Sequence, residues 1–230
     1  MYKRVTDNRA DNINEPRMFI LGLFAFAWEQ RKLGDAFDPI PNNTLSRADL
    51  NYDEGIIRSV HYGDILVNFG AIIDCRFDEI PYITDGDVAD YKSQLLQDGD
   101  VLFADTAEDE TVGKAAEISG VGDGFMVSGL HTMACRPKVK MAPKYLGSYL
   151  NSPSYHRQLL PLMQGIKVLS LSRTNLSKTT VLYPLSEQEQ FQIGAFFAAL
   201  DNLITLHQRA PCVSEKLLLG GKIIEPNTRV

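Results

Sequence analysis

Lys167, Ser170, Arg173 and Thr174 put two cations and two hydroxyls within eight consecutive positions, a set of donors and acceptors suited to phosphates and base edges. Lys114, Lys138, Lys140 and Lys144 add upstream charge of the kind that neutralises a phosphate backbone. All eight fall between Thr111 and Pro184, where nine Lys or Arg face only Glu117 and Asp123, a net of +7. Met1 to Glu110 holds 22 acidic against 10 basic residues, a net of −12, and Leu185 to Val230 nets −1, so the chain total of −6 conceals one positive segment. That segment is either a surface facing a polyanion or a solvated surface of mixed charge, the commoner use of such residues. Taken singly, each lysine reads more readily as a solvated side chain, and Arg173 almost equally as half of a structural ion pair.

A hydrolytic reading would draw on Asp100, Asp105, His131 or Cys135. The sequence gives it little support: there is no Gly-x-Ser-x-Gly elbow, phosphate-binding Gly-rich loop, His-Glu-x-x-His pair, dinucleotide fingerprint or Asn-Pro-Pro-Tyr-like methyltransferase string. Asp105, Glu108, Asp109 and Glu110 read more simply as a solvated acidic loop. The polar loops Thr84 to Asp87 and Thr106 to Thr111 could touch DNA only with their acids turned from phosphate or accepting from cytosine. Cys75, Cys135 and Cys212 stand far apart, and neither they nor His61, His131, His156 and His207 have metal-ligand spacing, so a reducing cytoplasm is expected. The apolar run Met18 to Trp28 resembles a targeting core, but Asp7, Asp11 and Glu15 precede it and eleven residues cannot span a bilayer.

The elements that must position these groups divide the chain into four parts: a flexible arm over 1–17, a main domain over 18–184, a long helix over 185–210 and an atypical tail over 211–230. Pro39, Pro41, Asn42 and Asn43 mark a loop. Strands are predicted at Asp64 to Phe69, Val101 to Ala104, Lys114 to Ile118, Phe125 to Cys135, Lys167 to Leu169 and Thr179 to Leu182, with Ser170 to Lys178 a polar connection. A short helix is predicted over Pro143 to Leu150, and a second from a Ser152 cap and Pro153 to about Met163. Ser186, with Glu189 three residues on, specifies the start of the last helix as a capping box. Within it Gln190, Ile193, Phe197, Leu200, Ile204 and His207 alternate spacings of three and four, widened by Phe196 and Leu203. Such a stripe serves ordinary core packing more often than a subunit seam, and here the seam would run through Gln190, Ile193, Phe197, Leu200 and Ile204.

Particular strings then resemble a known family. Pro184-Leu185-Ser186-Glu187-Gln188-Glu189-Gln190 followed by Ile193 to Arg209 closely resembles the conserved helix of type I restriction-modification specificity subunits. Trp28 to Asp35, Asp98 to Phe103 with Val112 to Ala116, and Gly165 to Leu176 resemble further segments of that family in the same order. The resemblance implies an α+β fold, with a mixed, antiparallel-rich α/β target-recognition domain followed by one long helix of coiled-coil type. It implies double-stranded DNA as ligand, and modification (methyltransferase) and restriction subunits as partners. No cofactor is expected in this chain: S-adenosylmethionine and ATP with magnesium would sit on those partners, so the chain itself is expected to be non-catalytic. A full subunit of the family resembles two recognition domains with two helices, and this chain has one of each.

Ala210-Pro211 departs from the pattern, because an interior proline breaks a helix at a cost of roughly 3 kcal/mol and should end the rod near Arg209. Ser186 to Arg209 would then span roughly 35 Å. Three hypotheses remain open: a half-subunit that pairs with itself or another half, a truncated remnant that folds without assembling, and an independent small hydrolase.

Overall fold

Val101-Leu102-Phe103-Ala104 is apolar at every position, the composition of a strand covered on both faces. In the computed structural model, which describes residues 27–209, that strand is central to a five-stranded sheet. In chain order the elements are β1 (Trp28–Lys32), α1 (Leu33–Ala36), β2 (Phe37–Ile40), β3 (Leu50–Asn51), β4 (Ile57–Val60), α2 (Tyr62–Val67), β5 (Ile72–Asp74) and β6 (Tyr82–Ile83). There follow β7 (Val101–Ala104), β8 (Thr106–Ala107), β9 (Ala115–Ser119), β10 (Phe125–Ser128), β11 (Thr132–Pro137), α3 (Tyr145–Leu150) and α4 (Pro153–His156). The described residues close with β12 (Leu169–Ser170), α5 (Arg173–Leu176), β13 (Thr180–Pro184) and α6 (Glu187–Arg209).

The five-stranded sheet is ordered β2-β11-β7-β9-β5 and a four-stranded sheet β10-β4-β6-β3, with the pairs β1-β13 and β12-β8 apart from both. Only β5 with β9 and β10 with β4 run parallel, so the fold is the expected α+β, antiparallel-rich arrangement ending in one long helix. Alternation along the central strands divides two cores. Val101, Phe103, Ala115, Met133 and Cys135 face α3, α4 and β13, while Leu102, Ala104, Ala116, Ile118 and Ala134 face α2.

Four expectations change. Asp64 to Phe69 does not form a strand: α2 starts at Tyr62 and runs through Val67, with His61 accepting from the Gly63 N–H at 3.3 Å. Long-range contacts select the helix, since Arg47 fixes Asp64 at 2.6 Å and the Lys114 ammonium donates to the closing carbonyls of Leu66 and Phe69. Phe125 to Cys135 splits into β10 and β11 of different sheets, the chain turning at His131 with φ of 54°. The helix predicted from Ser152 to Met163 stops at His156 and resumes only as the tight turn Leu160–Leu162 around Pro161. The connection from Ser170 to Lys178 contains α5, whose Asn175 N–H is capped by Ser172 Oγ at 3.1 Å. Pro39 sits in β2, an edge strand, where a missing N–H is tolerated. The arm over 1–17, the run from Met18 to Phe26, and Ala210-Pro211 with the tail lie outside the described residues.

Candidate nucleic-acid interface

At one end of the five-stranded sheet, the turn into β11 meets the end of β7. The Asp105 N–H donates to the His131 carbonyl at 3.0 Å, and the Asp105 carbonyl accepts from Leu171 N–H at 2.8 Å. Ser170 pairs with Thr106 across β12 and β8. Four segments thus converge. Asp105 Oδ1 lies 3.0 Å from His131 Nδ1 and accepts from Thr106 Oγ1 at 2.7 Å. With Nδ1 engaged by the carboxylate, Nε2 is the ring nitrogen left for an outside partner, and the imidazole is 46% exposed. Tyr62 stands edge-on to this ring at 5.4 Å and His61 lies 4.6 Å from Tyr62. Burial, then the Arg47 charge, hold the His61 imidazole below its usual range. A non-glycine residue at positive φ is a mild strain that the surrounding bonds must hold, a feature common at binding sites.

The eight sequence-predicted DNA contacts fall in three places. Ser170 on β12, Arg173 and Thr174 on α5, and Lys167 in the turn before β12 stay close together beside this edge. Arg173 is partly committed inside the chain, donating to the Ala134 carbonyl at 3.0 Å and to Asn42 Oδ1 at 3.3 Å. It forms no ion pair among the described residues. With Thr174 it lines a cleft of about 790 Å³ that also includes Lys32, Phe103, Cys135 and Lys178. Lys138 and Lys140 follow the far end of β11 from His131, Lys138 lying 3.6 Å from Asp38. Lys114 and Lys144 line a groove of about 980 Å³ between the sheet and α6, among Asp74, Asp78, Glu110 and Asp201. The Lys114 ammonium, pushed down by burial, is a structural cap on α2. The positive segment of the sequence is therefore not one continuous patch.

The residues of the hydrolytic reading also separate. Asp100, wholly buried, is clasped by Arg136 through Nε at 2.8 Å and Nη2 at 2.7 Å. Burial pushes the Cys135 thiol up to about 12, far from a thiolate nucleophile. Only Asp105 and His131 meet. Among the described residues no three His, Cys, Asp or Glu are placed to hold a metal ion. In the sequence His131 stands out only as one residue of the hydrolytic reading, and nothing in the spacing of Asp105 and His131 announces their pairing.

Helix α6 has two halves. Ser186 Oγ accepts from the Glu189 N–H at 3.3 Å, but the Glu189 carboxylate accepts from the Trp28 indole at 3.2 Å instead of completing a capping box. Buried Gln190 accepts from Ala142 N–H at 2.8 Å and donates to the Pro184 carbonyl at 2.7 Å. Ile193 packs on the core, and Gly194 lets the helix lie against α3, where a Cβ would meet Lys144 and Pro143 backbone at 2.9 Å. Gln190 and Ile193, expected at a subunit seam, are thus spent on docking within the chain. Beyond them Phe196, Phe197, Leu200, Leu203 and Ile204 are 38–63% exposed along one side. No described helix is long and apolar enough to cross a membrane.

Comparison with known proteins gives a consistent assignment. The family described as Type I restriction modification DNA specificity domain matches residues 27–212. A putative type I restriction enzyme MjaX specificity subunit from Methanocaldococcus jannaschii is 28% identical over 183 residues, covering 77% of this chain and 40% of that protein. A chain from a structural study of type I R-M complex assembly superposes with a TM-score of 0.54 at 18% identity, over 83% of this chain and 42% of that one. The type I S subunit from M. genitalium gives 0.51 at 13% identity, over 84% and 44%. The HsdS subunit from Thermoanaerobacter tengcongensis gives 0.51 at 16%, over 87% and 43%. The chain spans less than half the length of each of these.

Proposed function

The chain belongs to the type I restriction modification DNA specificity family, and on that premise we propose that it recognises double-stranded DNA and directs partner subunits to the recognised site. The observation that carries this reading is the family match over residues 27–212, which spans the recognition domain and its helix together. The edge built by Asp105, Thr106, His131 and Ser170 supports it, because reading bases requires donors and acceptors held rigidly by a scaffold. Lys167 supplies charge beside them for phosphate.

The chain reads one part of a bipartite site, and the uncovered side of α6 packs on a second helix of the same kind. Methyl transfer from S-adenosylmethionine resides on modification subunits, and ATP- and magnesium-dependent cleavage on a restriction subunit. This chain's residues bind and orient DNA without breaking a bond.

Co-expression with the cognate modification subunits, followed by mapping of methylated adenines, tests the proposal. Modification is expected at one bipartite sequence and is lost when this chain is omitted. Methylation that persists without it would refute the role, and a chain that folds but never co-purifies would be a remnant.

A further inference from the structure

Between the Leu160–Leu162 turn and β12 the chain makes a hairpin-like projection. Its neck is closed by Gln164 and Ser170, which exchange backbone bonds at 2.9 and 2.8 Å. At its start Gly165 has φ of 124°, and a Cβ there would lie 1.9 Å from the Val168 carbonyl oxygen, so the turn closes only on glycine. The base is tied down through Ser170 to Thr106 and through Leu171 to Asp105. The tip presents Ile166, 99% exposed, with Lys167 next to it and Val168 half-exposed. An isoleucine held wholly in water by a rigid turn contributes nothing to the folded core.

We propose that Ile166 is an apolar wedge that enters the minor groove of bound duplex DNA and partly unstacks one base-pair step, with Lys167 on the flanking phosphate. This rests on the DNA-recognition reading above. The charge around the tip favours DNA over a protein partner: from Gly124 to Ser186 there is no Asp or Glu, against eight Lys or Arg. The apolar tip is only two side chains wide, too small for a stable protein interface but the size of a side chain inserted at a base step. The hydroxyls of Thr106 and Ser170 and the imidazole of His131 converge on the base of the projection, where a kinked duplex would be drawn against them. Insertion favours flexible pyrimidine–purine steps, adding sequence preference without a base-edge hydrogen bond.

The experiment uses the full chain with its modification subunits and duplexes of the methylation-mapped site carrying 2-aminopurine at successive positions other than the methylated adenines, which the modification subunits themselves would extrude. Binding is expected to brighten one position. I166A is expected to abolish that signal and weaken binding about tenfold with an unchanged salt slope, within the range of a lost specific contact. K167A is expected to keep the signal and reduce the salt slope by about one. An I166A complex that still brightens the probe and binds equally well overturns the wedge. So does an I166A chain that loses the modification subunits, which would make the tip a protein-docking element. A wild-type complex that binds its site without brightening any position overturns the wedge alone, whereas one with no site preference overturns the recognition reading.

Discussion

His131 has a backbone that glycine would adopt more readily and a ring clamped by Asp105, two costs that do not serve a core. The clamp fixes Nδ1, so Nε2 is presented as a single oriented group, able to accept from an exocyclic base amine when the ring is neutral. Replacing His131 by glycine suits φ of 54° and removes only the ring, so the fold should persist. Anisotropy titrations should then show binding to the target site weakened by about 1–3 kcal/mol while affinity for scrambled duplex barely moves. Asp105→Asn should lose less, since an amide can still hold the ring but no longer fixes its tautomer. Equal losses on specific and scrambled DNA would make His131 a phosphate contact instead. Of this group the chain made Lys167 to Thr174 visible through proximity alone. Asp105 and His131 are 26 positions apart and meet only because β7 and β11 pair in register.

At the scale of elements, one buried side chain of the sheet holds the start of α3. Glu117 lies on β9, and its two oxygens accept from the N–H groups of Lys144 at 2.6 Å and Gly147 at 2.9 Å, donors at the start of α3. Burial pushes this carboxyl above its ordinary range, and those backbone bonds only partly oppose the shift. A group whose folded pKa is raised contributes stability that is present below its unfolded pKa and lost as pH rises through the folded value. Glu117 therefore favours the folded state more at pH 4 than at pH 8. Glu117→Gln removes that pH dependence but can accept through one oxygen only, leaving one α3 N–H opposed by an amide. Denaturant unfolding should show a loss of about 1–3 kcal/mol near neutral pH, and a larger one at pH 4, where the wild-type carboxyl recovers its advantage. A gap between the two proteins that is constant with pH would reject this account. The same element scale shows what sequence could convey. Val101 to Ala104 and α6 announce themselves because their apolar patterns match their local period. The run Asp64-Ile65-Leu66-Val67-Asn68-Phe69 reads as extended by composition, yet Arg47 and Lys114, 17 and 50 positions from Asp64, settle it as helix. Tertiary bonds of that range carry no local signal.

For the whole molecule, the question is what covers the outer half of α6. Its inner half is satisfied by Gln190, Ile193 and Gly194 against α3, whereas Phe197, Leu200 and Ile204 recur at spacings of three and four with no core over them among the described residues. A helix with a second apolar stripe of that period is built to meet another helix. If two such helices pair about a twofold axis, the recognition edges fall at opposite ends and the two halves of the DNA site become inverted repeats. The helix is about 35 Å long, comparable to one turn of duplex, so its length bears directly on the spacing of the half-sites. Multi-angle scattering at rising concentration should therefore show the mass climbing above that of one chain. The double substitution Leu200→Glu with Ile204→Glu should return it to one chain without lowering thermal stability, because neither side chain is buried within the protomer. Contacts at the His131 edge should survive in this variant as weak binding to a single half-site. Should the wild-type chain stay monomeric both alone and with its modification subunits, the helix stripe would have to be assigned to a different partner, and the inverted-repeat form of the site would fall with it.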